Sequence, residues 1–322
     1  MNHDIVNIGI CTVDAIGRTI DEAPPRGGLR TFDDLIMTTG GNAMNCGISL
    51  AKMGIGCDVV IKVGRDPLGD FVLSEAKKYG LGTAGVVYDE AGTTTPFTFV
   101  CVHGDGQRSF YHICGTNGTL RNDEIDMDYV LQHRYCFVTG TMVMPTFDGE
   151  QTAQVLEQAQ TAGLVTLLDT VYTDDASQEY WRSVIEPCLP HLTYFIPSQP
   201  EAAAITGLDD PSEMARWLQD RGCTNAVIKL DAEGAFCRDA EGTETHVPAY
   251  RVDPVVDTTG AGDCWSAGFL AGLLNDQSIP EAAALGNATA AHCIQAPGAS
   301  TGVVSLDEIR AFQKRTPLRK TS

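Results

Sequence analysis

Two stretches at opposite ends of the chain carry residues whose types and spacing can do chemistry. Near the C-terminal end, Asp257-Thr258-Thr259-Gly260-Ala261-Gly262-Asp263 runs directly into an apolar segment of helical period, with Trp265, Phe269 and Leu273 four apart. A glycine turn that opens a helix presents free backbone N–H groups and the positive end of the helix dipole. Gly260, Ala261 and Gly262 are therefore a candidate anion site. Asp263 stands in the first helical turn, where a carboxylate is stabilised and the helix end is expected to lower its pKa. A carboxylate there also caps a helix, and glycines also make plain bends, so a bare Gly-x-Gly-Asp admits both readings.

Near the N-terminus, Gly40-Gly41-Asn42-Ala43-Met44-Asn45 opens an amphipathic helix that continues through Leu50 and Met53. The glycine pair lets backbone approach a ligand, and the Asn42 and Asn45 amides are of the kind that bind hydroxyls, although Asn and Gly are also common helix starts. Asp14 follows the apolar run Val6–Cys11, just past a strand end, where open α/β sheets take their ligands. A turn-forming Asp is the competing reading.

The two strings together resemble the N- and C-terminal signatures of the ribokinase-like (PfkB) carbohydrate kinases, and the likeness spans residues 5–305. The resemblance implies an α/β fold, a three-layer α/β/α sandwich with a mostly parallel sheet and a small β-sheet lid. It implies transfer of the γ-phosphate of ATP to a hydroxyl of a small ribose- or fructose-like sugar. Gly260, Ala261 and Gly262 would form the anion hole and Asp263 would be the base. Asp14, Gly40, Gly41, Asn45 and Arg108 would hold the sugar. Lys229, Gly234, Thr258 and Asn287 would face the nucleotide, and Glu201 would place Mg²⁺ through water. Asp257, Thr259 and Gly298, with Ala299, sit where relatives bind K⁺, the third candidate cofactor. The same motifs serve adenosine-like nucleoside kinases, and a non-catalytic sugar or nucleotide sensor on this fold is a further alternative. Two departures point toward the sensor: Ser198 in Ser198-Gln199-Pro200-Glu201, where the family has Asn-x-x-Glu, and Asp231, where it has Gly. Ser-x-x-Glu with Pro200 inside the first turn is also an ordinary capping box.

Composition narrows the partners. The 322 residues carry a formal charge of −20, which argues against nucleic acid or an anionic membrane. Eleven scattered cysteines without a Cys-x-x-Cys pair read as reduced, mostly buried thiols rather than a zinc site. No apolar run approaches a membrane span and no signal peptide precedes the first strand, so a cytoplasmic protein is expected. No Walker A string occurs. Gly80-Leu81-Gly82-Thr83-Ala84-Gly85 matches Gly-x-Gly-x-x-Gly but follows a helix and precedes a strand, the reverse of a dinucleotide turn.

The elements that must position these residues follow a simple rhythm. Strand-like runs at 57–63, 135–139, 165–168, 192–196 and 226–230 alternate with helical patterns near 149–162, 175–186, 200–206 and 211–221, which predicts a parallel sheet with helices on both faces. Residues 93–117 alternate with period two around the turn Gly104-Asp105-Gly106 and predict a hairpin. With 15–32 it would form the lid; residues 1–14, 33–92 and 118–322 would form the core. Arg108, Phe110 and His112 would then reach the substrate from above, or the strand face would pack or meet a second subunit. A homodimer through the lid is the expected assembly.

Overall fold

The computed structural model describes residues 3–319. Its central sheet has eight strands, in the order Glu244–Val247, Ala235–Arg238, Asn225–Lys229, Tyr194–Phe195, Val165–Thr170, Tyr135–Thr141, Ile5–Gly9 and Cys57–Val60. All neighbours pair in parallel except the two hairpin pairs at the Glu244–Val247 edge. That edge holds both Asp-Ala-Glu-Gly turns.

The alternation of strand side chains divides the interior. Ile5, Phe137, Leu167 and Val227 point into one cluster, with helices Asn42–Lys52, Ala261–Leu274 and Ile279–Cys293. Val6, Val138, Leu168 and Ile228 point into the other, with helices Glu150–Thr161, Gln178–Ile185 and Pro211–Gln219. A period of two buries both faces only when helices cover both, and this gives the three layers the sequence predicts. From Ile5–Gly9 the chain goes to one neighbour, Cys57–Val60, and later returns on the other side as Tyr135–Thr141. The order reverses there, which opens a crevice beyond the C-terminal strand ends.

A second sheet of four strands stands over that crevice, in the order Asp34–Gly40, Thr12–Arg18, Phe97–Val102 and Arg108–Ile113. The hairpin at 97–113 lies inside the predicted 93–117. The first half differs from the expected 15–32. The strands are 12–18 and 34–40, and residues 19–33 are the mostly exposed connection between them. Only Ile10 and Cys11 separate the core strand from the lid strand, so Asp14 belongs to the lid rather than to the end of a core strand. Gly80–Gly85 links helix Pro67–Lys78 to strand Val87–Asp89, as its context predicts.

Candidate active site

Two helix N-termini converge on one carboxylate. Asp263 lies in the first turn of Ala261–Leu274 and is buried. Asn42 and Asn45, three apart on one face of the first turn of Asn42–Lys52, donate to it. Asn42 Nδ2 lies 2.7 Å from Asp263 Oδ1 and Asn45 Nδ2 lies 2.8 Å from Oδ2. Asn45 Oδ1 is buried without a partner. The expected lowering of the Asp263 pKa is corrected here. Burial pushes it up to about 6, with the Asp169 charge adding to the rise against the pull of Asn45, Asn42 and Lys229. Desolvation outweighs the helix end because the charged form gives up water for only two amides. Such a carboxylate is ionised at neutral pH and is a stronger base than an ordinary Asp.

The glycine turn is sterically required. Gly260 has φ +71°, and a Cβ there would come within 2.4 Å of the Ala299 carbonyl. The Ala261 N–H, expected to face an anion, donates instead to the Thr258 carbonyl at 3.1 Å. The nearest atom to a Cβ built on Gly262 is Lys229 Nζ, at 3.9 Å. Lys229 thus stands beside the turn. It is held there by Asp169, which accepts from Nζ at 2.7 and 2.8 Å and also from Ser266 Oγ at 3.0 Å. Burial would lower the Lys229 pKa, but the Asp169, Glu201 and Asp263 charges raise it above its ordinary value. Asp169 and Ser266 were not legible as site residues. Asp169 ends an apolar strand as Asp14 follows one, and that parallel was the available signal.

On the lid side, the Asp14 carboxyl lies against Gly40, whose added Cβ would meet Asp14 Oδ2 at 2.3 Å. Burial raises the Asp14 pKa, against the Thr98 and Thr12 hydroxyls and the His112 charge. His112 Nδ1 in turn lies 3.0 Å from Thr98 Oγ1. Gly41 has φ +89°, and a Cβ there would sit 2.6 Å from Cys11 Cα. The glycine pair thus brings Asp14, Asn42 and Asn45 to one corner.

Other predicted residues are engaged elsewhere. Arg108 reaches down from its lid strand to the core: Nη2 lies 2.8 Å from Asp257 Oδ2, and Nη1 lies 3.0 Å from Thr259 Oγ1 and 3.3 Å from Asp257 Oδ1. It therefore spends its guanidinium on the loop before the glycine turn. Asn287 accepts from Trp265 Nε1 at 2.8 Å and donates to the Val247 and Pro248 carbonyls at 3.0 and 3.2 Å. One end of its amide ties its helix to Ala261–Leu274 and the other ties it to the sheet edge, so it has neither left for a base. Gly234, at φ +104°, is needed by the hairpin, where a Cβ would meet the Val247 carbonyl at 2.0 Å. Thr258 is exposed and enters through its carbonyl. Glu201 closes the capping box, accepting from Ser198 N at 2.6 Å, yet is buried where burial raises its pKa against the Lys229 charge. A hollow of about 270 Å³ lined by Arg251, His292, Phe312 and Arg315 contains none of these residues.

Residues 2–305 match the family described as pfkB family carbohydrate kinase. The chain belongs to that family. As a pfkB family carbohydrate kinase it is an ATP-dependent phosphotransferase acting on a sugar, which the two terminal motifs predict. It is 29% identical over 296 residues to a 2-dehydro-3-deoxygluconokinase of Bacillus subtilis, covering 89% of this chain and 90% of the relative. It is 28% identical over 282 residues to a 5-dehydro-2-deoxygluconokinase of Geobacillus thermodenitrificans, covering 85% and 83%. Among solved structures, the Arabidopsis thaliana ribokinase complexed with ribose and ATP superposes with a TM-score of 0.82 at 21% identity, covering 98% of this pfkB kinase and 99% of that chain. That likeness shows the ribokinase-like fold.

Proposed function

We propose that Asp263 takes the proton of a hydroxyl on a small sugar, bound between the lid and the Gly40-Gly41 turn, while the γ-phosphoryl group of ATP passes to that oxygen. The observation that carries this reading is Asp263 gripped by Asn42 and Asn45 beside a glycine turn and a buried ammonium. In a loose phosphoryl-transfer transition state charge sits on the equatorial oxygens. The N–H groups of Gly260 and Gly262 and the Lys229 ammonium stand where that charge would gather, and Asp169 and Ser266 keep the ammonium in place. Asn45 Oδ1, buried and unpartnered, would accept from a sugar hydroxyl, and Asp14 with Thr98 would hold another.

Mg²⁺ would reach this site through water and the nucleotide phosphates, because among the described residues no group of three His, Cys, Asp or Glu is placed to hold a metal ion by itself. Glu201, acting through water, would hold it, and when bound it neutralises the nucleotide phosphates. K⁺ does not fit the residues expected for it, because Arg108 already occupies Asp257 and Thr259.

The names of the relatives favour a second substrate class, the sugar acids. Arg108 and Lys229 are both ion-paired at the site, and Asp14 would repel a carboxylate, so a neutral sugar is the first reading. We place the homodimer contact on the lid, where Leu35, Ile36, Met37, Phe110, Tyr111 and Ile113 are 44–63% exposed. Such a patch on a sheet suits a second copy of itself. No helix among the described residues is long and apolar enough to cross a membrane, and use of ATP suits the cytoplasm.

An ADP-release assay with Mg·ATP tests the function against pentoses, hexoses, ketoses, 2-keto sugar acids and nucleosides. Turnover of one sugar that collapses in Asp263→Asn supports the reading. Turnover of a nucleoside alone, or of nothing while ligands still bind, overturns it.

A further inference from the structure

The loop pair behind the anion turn holds no place for a monovalent cation, because side-chain cations already fill it. The Asp257 carboxylate accepts four hydrogen bonds. Arg108 supplies two, and the N–H groups of Gly298 and Thr259 supply the others at 2.8 and 3.0 Å. Those donors pull the Asp257 pKa well below the ordinary range despite its burial, so the carboxylate is ionised and matched by the guanidinium. The facing loop is filled in the same way. Lys52 Nζ donates to the Ser300 and Thr301 carbonyls at 2.8 and 3.1 Å, and the Cys264 thiol donates to the Ala299 carbonyl at 3.1 Å. A potassium ion needs a ring of such oxygens with their lone pairs free and a net negative surround. Here the oxygens are spent, and the cation would meet a guanidinium.

We propose that Arg108, seconded by Lys52, is a built-in replacement for the monovalent cation of this site, and that it makes the enzyme independent of K⁺. Arg108 is a positioning residue. It acts through Asp257 and Thr259 on the turn that begins at the next residue, Gly260. Because Arg108 comes from the lid and Asp257 from the core, the replacement also ties the cation role to the seated lid. A free ion cannot do that. A bidentate Arg–carboxylate pair fixes geometry as well as charge, which is what an anion hole needs from the loop behind it. Only the consequence for turnover rests on the phosphoryl-transfer reading; the occupancy of the loop pair stands without it.

The test uses the full chain, Arg108→Ala, and Arg108→Ala/Asp257→Asn. Each is melted without substrate in about 100 mM KCl and in choline chloride of matched ionic strength. The wild type should melt at the same temperature in both salts. Arg108→Ala should be selectively stabilised by K⁺, and the double variant should lose that response. With a turned-over sugar in hand, wild-type kcat should change less than about twofold between the salts. Arg108→Ala should fall about tenfold to a hundredfold and recover in part with K⁺. Selective K⁺ stabilisation or activation of the wild type overturns the proposal, as does an Arg108→Ala protein whose melting ignores K⁺. The melting arm needs no turnover, so failure of this inference is distinguishable from failure of the kinase reading.

Discussion

Asn45 spends its amide nitrogen on Asp263, at 2.8 Å from Oδ2, and keeps its own Oδ1 buried without a partner. One side chain therefore orients the Asp263 carboxylate and presents an acceptor beside it. Burial holds the Asp263 pKa at about 6, so activity should climb as pH rises through that value and level off above it. Asp263→Asn should lower kcat by about 10²–10⁴ while leaving ATP binding near wild type. A pH–rate profile of kcat/KM and a binding isotherm for ATP check both halves. A flat profile between pH 5 and 8 would remove Asp263 from the base role.

Asn45→Ala separates orientation from basicity. The lost donor is one of the groups that hold the carboxylate pKa down, so the acid limb of the profile should move to higher pH. KM for the sugar should rise as well, because the free Oδ1 goes with the side chain. A drop in kcat with an unmoved acid limb would show that Asn45 acts on the sugar alone.

Lys229 carries a stability prediction and an activity prediction of different character. Its side chain is 12% exposed and that of Asp169 is 3% exposed, so Lys229→Met strands buried carboxylates and should cost about 3–5 kcal/mol. Adding Asp169→Asn removes the stranded charge and should return most of that stability. Activity should stay low in both proteins, because neither has an ammonium beside Gly262. Urea melts and kcat on the three proteins read the two effects independently. Recovery of activity in the double variant would exclude Lys229 from phosphate stabilisation.

The parts of this site that could be read in sequence are those whose logic is local. Gly260-Ala261-Gly262-Asp263 is a turn and a first helical turn in one string, and Gly40-Gly41 with Asn45 is another. The parallel sheet was legible because strands buried on both faces read as apolar runs. What escaped lies in pairings across long separations. Lys229 meets Asp169 across 60 residues and Ser266 meets the same carboxylate across 97, and no periodicity encodes either. Arg108 shows the same limit from the other direction. Its place on a lid strand was legible, but its partner 149 residues away was not, and that partner changes its role from sugar ligand to loop clamp. Asn287 fell on the expected helix, yet Trp265 and two carbonyls claim its amide. The lid boundary was misplaced because residues 19–33 carry the Pro and Gly that mark a projecting segment while the strands flank them.

Gly260→Ala tests the anion turn without touching a charge. The residue sits at φ +71°, and a Cβ would press on Ala299 at 2.4–2.7 Å. The left-handed conformation costs an L-residue about 1–2 kcal/mol before any clash. The turn should therefore shift, and kcat should fall by about 10²–10³, the usual loss when an oxyanion donor is displaced. Sugar binding at the Asn45 corner should be spared. An unchanged kcat would show that Gly260 is only a bend.

A second buried charge cluster sits at the opposite end of the sheet and should govern stability rather than activity. Asp58, near the start of Cys57–Val60, accepts from His133 Nε2 at 2.8 Å, from Tyr129 and from His3. His133 Nδ1 lies 3.0 Å from the Val130 carbonyl. Both ring nitrogens therefore face acceptors and both donate, which is the protonated form. Burial works against that charge, but the Asp58 and carbonyl hydrogen bonds win and the His133 pKa is raised. Asp58, despite burial, is held down at about 2 by the same partners. The signs set the window. The stabilisation by His133 is full below its unfolded value of about 6.5 and is lost as pH rises through the raised folded value. The stabilisation by Asp58 is present above about 3.9 and is lost as pH falls through its folded value. His133→Ala should thus cost about 3 kcal/mol at pH 6, the lower end for breaking a buried pair, since Tyr129 still serves Asp58. The cost should shrink toward pH 9, since the wild type itself gives up the charge as pH rises through the raised folded value. Urea denaturation of both proteins at the two pH values checks this, and an equal loss at both would mean that His133 is neutral in the fold. The partners of Asp58 and His133 are His3, Tyr129 and the Val130 carbonyl rather than residues around Asp263, so kcat at pH 7.5 should be unchanged in the variant.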